Sequence, residues 1–265
     1  MQITSNNLSV HYDTCGEGVP LVFVHGFPLN RKMWKPQLSG LSDIAHIIAP
    51  DLRGHGDSES TPGPYSMDLF AHDINSLLNA LEIDEQIVLC GLSMGGYISL
   101  AFYKLFPERL AGLILTATRA AGDSSEGRAA RDDAVKRAQQ EGVEGVVNGM
   151  LPKLLAKNTQ LNKPELVSLI RNMINSISVS TMVTDLIAMK ERPDSTQILG
   201  KIQVPTIIIH GADDQIIPVQ EAEVMASAIP GARLKVLPDA GHLVNLEQPV
   251  LFNHNLHRFL IEGIK

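Results

Sequence analysis

The stretch Ile87-Val88-Leu89-Cys90-Gly91-Leu92-Ser93-Met94-Gly95-Gly96-Tyr97-Ile98 constrains the fold more than any other part of the chain. An apolar run long enough for one buried strand breaks at glycine, presents one serine, and resumes with helical period. Gly91 and Gly95 stand two residues to either side of Ser93, so no side chain obstructs a sharp turn that holds the serine at its apex in a strained conformation. Such a strand, turn and helix form a nucleophile elbow. The first N–H groups of that helix have no intrahelical acceptor, and its positive dipole end faces the serine, which suits a developing oxyanion. Taken alone, G-x-S-x-G also fits a glycine-rich turn whose serine only caps a helix, so partners elsewhere in the chain decide its meaning.

Strands and helices alternate on both sides of this element. Leu8 to Cys15 alternates as a strand, Pro20 to Val24 is a continuous apolar run ending at His25-Gly26-Phe27-Pro28, and Arg31 to Leu41 has helical spacing around Trp34 and Leu38. Ile44 to Ala49 is a further buried strand, which opens into Pro50-Asp51-Leu52-Arg53-Gly54-His55-Gly56-Asp57-Ser58, and Asp68 to Leu81 reads as a helix with Ser66 as N-cap. Leu110 to Thr116, Val204 to Gly211 and Arg233 to Leu237 supply the remaining strands, and a closing helix spans Glu247 to Ile261. From about Ala120 to Gly200 the strand rhythm is lost, leaving helical pieces separated by Gly142, Gly149, Pro152, Pro164 and Pro193. Within it, Arg128 to Arg137 is a charge run that reads as a solvated helix face. Parallel strands joined by right-handed helical crossovers make a sheet covered on both faces, with its site beyond the carboxyl ends of the strands. The loops carrying His25, Ser93, Asp214 and His242 all follow strands and share that edge.

Composition narrows the partners. A net charge of −7 across 265 residues gives no basic footprint for nucleic acid, and no segment approaches the apolar length of a membrane span. The first residues carry neither the basic nor the apolar part of a signal peptide, and of the two cysteines, Cys90 lies in a buried strand where a disulfide is hard to reach. These features point to a cytoplasmic protein acting on a small molecule, away from nucleic acid and membranes.

A serine hydroxyl needs a base within hydrogen-bond reach and an acid to hold that base in one tautomer. Among nine histidines, His242 combines a late position, a strand exit and a preceding Ala240-Gly241 that permits a tight turn. His25 and His55 sit in glycine turns and read as backbone pins, while His210 reads as packing. The loop after Val204 to His210 offers two acids, Asp213 and Asp214, so the chain order is Ser, Asp, His.

With these residues in place, the chain resembles the α/β-hydrolase fold family. The similar stretches are His25-Gly26-Phe27-Pro28, Asp51 to Ser58, Gly91 to Gly96, Gly211-Ala212-Asp213-Asp214 with Pro218, and Ala240-Gly241-His242 with Glu247 and Pro249. The resemblance implies an α/β fold, a mostly parallel sheet with helices on both faces. It divides the chain into a core of residues 1–119 and 201–265 and a helical cap, 120–200, inserted between strands six and seven. It selects Asp214 over Asp213, which completes a Ser93, Asp214, His242 triad, and it puts the oxyanion hole at the backbone N–H groups of Phe27 and Met94. The implied activity is hydrolysis of carboxylic esters or lactones through an acyl-enzyme on Ser93, with no metal or organic cofactor. Cofactor-free haloperoxidases and perhydrolases share this triad, and carbon–carbon bond hydrolysis and a non-catalytic receptor role are further alternatives. Epoxide hydrolases and haloalkane dehalogenases carry aspartate where Ser93 stands. The former also use cap tyrosines, whereas the tyrosines here are Tyr12, Tyr65, Tyr97 and Tyr103. Phe27, Trp34, Met150 and Met182 are candidate substrate-binding residues. With Met173 and Met189, the methionines suggest an adaptable apolar wall that favours apolar over charged acyl groups.

Overall fold

The structure, a computed structural model, describes residues 1–264. Eight strands form one sheet: β1 (Gln2–Ser5), β2 (Leu8–Cys15), β3 (Val19–Val24), β4 (Ala45–Pro50), β5 (Ile87–Leu92), β6 (Leu110–Thr116), β7 (Thr206–Gly211) and β8 (Arg233–Leu237). Their order is β1-β2-β4-β3-β5-β6-β7-β8. β2 runs antiparallel to β1 and β4, and every pairing from β4 to β8 is parallel. The apolar runs of β5 and β7 are buried along their whole length, as a sheet covered on both faces requires. β1 was not expected, since Gln-Ile-Thr-Ser carries no apolar run. It is held by a two-residue hairpin at Asn6-Asn7, whose φ values of 51° and 56° are the positive ones that such a tight turn needs and that asparagine tolerates.

Helices α1 (Lys35–Leu41), α2 (Met67–Ala80) and α3 (Met94–Leu105) connect the first strands. Between β6 and β7 lie α4 (Ser125–Glu141), α5 (Val143–Leu154), α6 (Lys157–Asn162), α7 (Pro164–Ile174), α8 (Val179–Glu191) and α9 (Thr196–Leu199), and α10 (Val219–Ala228), α11 (Val244–Glu247) and α12 (Pro249–Gly263) complete the chain. Serine hydroxyls at Ser66, Ser124 and Ser178 accept from the N–H three residues on and so cap α2, α4 and α8. Gly142, at φ 72°, separates α4 from α5 as expected, but Gly149 and Pro152 lie inside α5 and break nothing. Pro152 falls in the last turn of α5, and Gly149 faces open space with no atom within 4 Å of where a Cβ would stand.

Trp34 packs in the core. Its ring stacks on Phe23 with centroids 4.5 Å apart, and the Phe252 ring lies tilted 6.3 Å away. The parallel registers align the carboxyl ends of the central strands, with Val24 opposite Gly91, Leu92 opposite Thr116, and Thr116 opposite Ile209. Among the described residues no single helix is long and apolar enough to cross a membrane.

Candidate active site

Ser93 follows β5 directly and adopts φ 57° and ψ −113°, a region that a residue with a side chain occupies only when its surroundings hold it there. Those surroundings are specific. The Ser93 N–H donates to the Thr116 carbonyl at 2.9 Å, and its own carbonyl accepts from the Thr118 hydroxyl at 2.8 Å and from Gly96 N–H at 2.9 Å. The flanking glycines are required by space: a Cβ on Gly91 would stand 2.1 Å from the Gly95 carbonyl oxygen, and one on Gly95 would stand 2.2 Å from that of Val24. Met94 opens α3, so its N–H is among the first-turn donors that a helix leaves without an acceptor.

On the same edge, the loop after β7 carries Asp214 and the loop after β8 carries His242. Asp214 Oδ1 accepts from the N–H groups of Ile216 at 2.8 Å and Ile217 at 3.0 Å, which fixes the carboxylate plane. Its Oδ2 lies 2.8 Å from His242 Nδ1, with both side chains almost fully buried. Burial opposes ionisation of Asp214, but the His242 charge and hydrogen bonds from His210, His242 and Ile217 outweigh it and hold the carboxyl far below its ordinary value. His210 therefore does more than pack. Its Nε2 lies 3.3 Å from Asp214 Oδ2 while bonding the Ile217 carbonyl at 2.9 Å. Asp213 is exposed and makes no such contact. With Nδ1 committed to Asp214, His242 Nε2 is buried without a hydrogen-bond partner among the described residues. Glu247 holds the histidine loop from behind, its two oxygens accepting from Gly241 N–H at 2.7 Å and Ala156 N–H at 2.8 Å.

His25 and His55 act on backbone. His25 Nε2 accepts from Leu52 N–H at 3.0 Å, and its Nδ1 donates to the Gly26 carbonyl at 3.1 Å. Burial, with His55 and Arg31 adding to it, pushes His25 well below the ordinary imidazole value. His55 donates to the Arg53 carbonyl, and its Nε2 lies 3.1 Å from Asp185 of α8, a partner that sequence reading did not find.

A cavity of about 300 Å³ opens beside this edge, lined in part by Phe27 and by Gln215 and Ile216 of the Asp214 loop. Of the candidate substrate-binding residues, Phe27 and Met150 line it. Trp34 and Met182 do not: both are fully buried in the core, as are Met173 and Met189 to within 3%. The methionine wall is replaced by one face of α4, Gly127, Ala130, Arg131, Ala134 and Arg137, and one face of α5, Val146, Gly149, Met150 and Lys153. Both faces follow the i, i+3, i+4, i+7 spacing of a helix stripe, so part of the charge run assigned to solvent borders the cavity. Among the described residues no group of three or more His, Cys, Asp or Glu side chains is arranged to hold a metal ion.

A mostly parallel eight-stranded sheet with a serine turn at the end of β5, an acid after β7 and a histidine after β8, defines the α/β-hydrolase class. The chain belongs to the α/β hydrolase fold family, whose model matches residues 19–249, and it is an enzyme of that superfamily. It is 29% identical over 254 residues to 3-oxoadipate enol-lactonase 2 of Acinetobacter baylyi, covering 95% of this chain and 93% of that protein. It is 31% identical over 277 residues to the non-heme chloroperoxidase CPO-A1 of Kitasatospora aureofaciens, covering 97% and 98%. Among solved structures, a thermophilic esterase from Thermogutta terrifontis superposes with a TM-score of 0.96 at 39% identity, covering 100% of this chain and 99% of that one.

Proposed function

We propose that the protein hydrolyses carboxylic esters or lactones through an acyl-enzyme on Ser93. The observation that carries this reading is the Asp214–His242 contact of 2.8 Å, which occupies Nδ1 and leaves the other nitrogen of that ring, the buried Nε2, without a partner among the described residues, on the strand edge where Ser93 is held in its strained turn. Similarity to an enol-lactonase and to an esterase supports the same class of substrate.

In this mechanism Ser93 Oγ attacks the carbonyl carbon as its proton passes to His242 Nε2, and Asp214 stabilises the imidazolium. The carbonyl oxygen becomes an oxyanion that accepts from Phe27 N–H and Met94 N–H, and losing one such donor typically costs about 10²–10³ in rate. Collapse breaks the carbon–oxygen bond, and the leaving alkoxide takes the proton from His242; in a lactone the alkoxide stays tethered to the acyl group. Water then attacks the acyl carbon, gives a proton to His242, and Ser93 Oγ leaves with that proton. The helices within residues 120–200 act as the cap that bounds the substrate space.

Mass spectrometry after treatment with a fluorophosphonate tests the reading: the adduct falls on Ser93, and Ser93→Ala loses both adduct and about 10⁶ in kcat. An adduct on another serine, or full turnover in the variant, overturns it. Relation to a chloroperoxidase favours one second reading, in which hydrogen peroxide replaces water in the second step and a peracid leaves. Peroxide-dependent bromination in acetate buffer distinguishes it.

A further inference from the structure

The cavity that Phe27 and the Asp214 loop border has a charge opposite to that of the molecule. The chain carries a net −7, yet the cavity lining holds four cations, Arg119, Arg131, Arg137 and Lys153, against one carboxylate, Asp123. That carboxylate is already saturated. It is 1% exposed and pairs with Arg119, with Arg131 Nε at 3.2 Å and with Arg192 Nη1 at 2.8 Å, and Arg192 itself lies outside the lining. Arg131 engages Asp123 through Nε, which leaves both of its terminal nitrogens to other partners. Arg137 and Lys153 are exposed and join no ion pair among the described residues. Both belong to the helix faces that border the cavity, where the small residues Gly127, Ala130, Ala134 and Gly149 leave room between the cations.

An apolar acyl chain in this space would strip water from guanidinium and ammonium groups without returning a partner, which is costly. A carboxylate entering the same space keeps them satisfied, and an arginine fork matches its two oxygens. We propose that the cavity takes an ester or lactone carrying a second, uncleaved carboxylate, which lies among Arg119, Arg131, Arg137 and Lys153 while the reacting carbonyl is at Ser93. This inference rests on the Ser93 hydrolase reading, and it reverses the apolar preference expected from the methionines. Because the enzyme as a whole repels anions, the selectivity is local and weakens as salt screens the exposed members of the cluster.

The test compares monomethyl glutarate with methyl valerate, whose acyl chains have equal carbon counts, by following proton release in a pH-stat. The wild-type kcat/KM ratio favours the anion by about tenfold or more, the scale of one charge-assisted hydrogen bond. Arg131→Gln lowers that ratio. So does the double variant Arg137→Gln with Lys153→Gln, whose exposed positions leave folding intact. A wild-type ratio of one or below, or a ratio that neither variant moves, overturns the inference. Calorimetric binding of free glutarate to the Ser93→Ala protein separates the two readings. If neither ester is cleaved, the hydrolase reading fails, while glutarate binding that is lost in the double variant still supports the carboxylate site; absence of glutarate binding overturns it.

Discussion

Asp214 and Asp213 are adjacent, chemically identical and differently used. The Asp214 carboxylate accepts from two loop N–H groups through one oxygen and faces His242 and His210 with the other, whereas Asp213 points to solvent. Asp214→Asn retains an oxygen for Ile216 and Ile217, so the loop keeps its shape. The amide cannot stabilise an imidazolium and leaves His242 in the wrong tautomer. Turnover falls by about 10⁴, the scale of the corresponding change in other triads. Asp213→Asn stays close to wild type. Steady-state rates on one ester, with circular dichroism to verify folding, decide the matter, and the reverse ranking would assign the acid to Asp213. The residues alone left both acids open and the family resemblance, through Gly211 and Pro218, chose between them, but nothing local announced His210. It lies four residues before Asp214 on a buried strand, and only the curl of the loop back over the strand end brings its Nε2 to the carboxylate.

Among the elements, β2 to β8 and the serine turn were legible because each carries its own signal, alternation or an apolar run in the strands and glycines at fixed offsets in the turn, whereas β1 carries none. The helices between β6 and β7 were legible as helices and illegible in what their faces touch. A stripe of Gly, Ala and Arg on α4 has the composition of a solvated face, and periodicity alone does not reveal a cavity beyond it. The link between this helical segment and the histidine loop was equally silent, since Glu247 bonds Ala156 N–H across 91 residues. That clasp joins α11, the loop before it and the start of α6. Glu247→Gln turns one of its acceptors into a donor facing an N–H, leaving a buried group unpaired at a cost of about 1–3 kcal/mol. Urea denaturation registers that loss. The rate on a neutral ester falls through kcat, because the loop that carries His242 loses its support. Unaltered stability would show that the loop does not depend on the clasp.

At the scale of the whole molecule, buried histidines set how stability responds to acid. His25 is neutral in the fold, its pKa held well below 6.5 by burial, by His55 and by Arg31, while in the unfolded chain it titrates near the reference of about 6.5. Its contribution is therefore complete above about pH 6.5 and is lost as pH falls, because the unfolded chain takes up a proton that the fold refuses. Asp214 adds to the same acid limb much lower, since its depressed pKa gives stability above the ordinary carboxylate value that disappears as pH falls toward the folded one. His55 acts in the other sense: burial opposes its protonation, but Asp185 raises it overall, so its contribution is present below about pH 6.5 and is lost on the alkaline side. The two rings lie 4.8 Å apart, so the molecule carries opposed titrations side by side. Replacing His25 isolates its share. His25→Gln retains a carbonyl acceptor for Leu52 N–H, lowers stability at pH 8, and flattens its fall between pH 6.5 and 5 by up to about 1.4 kcal/mol per pH unit. Urea denaturation at a series of pH values across that window measures the slope in both proteins. Equal slopes would mean that His25 titrates alike in the folded and unfolded chains, and that the acid limb belongs to other groups.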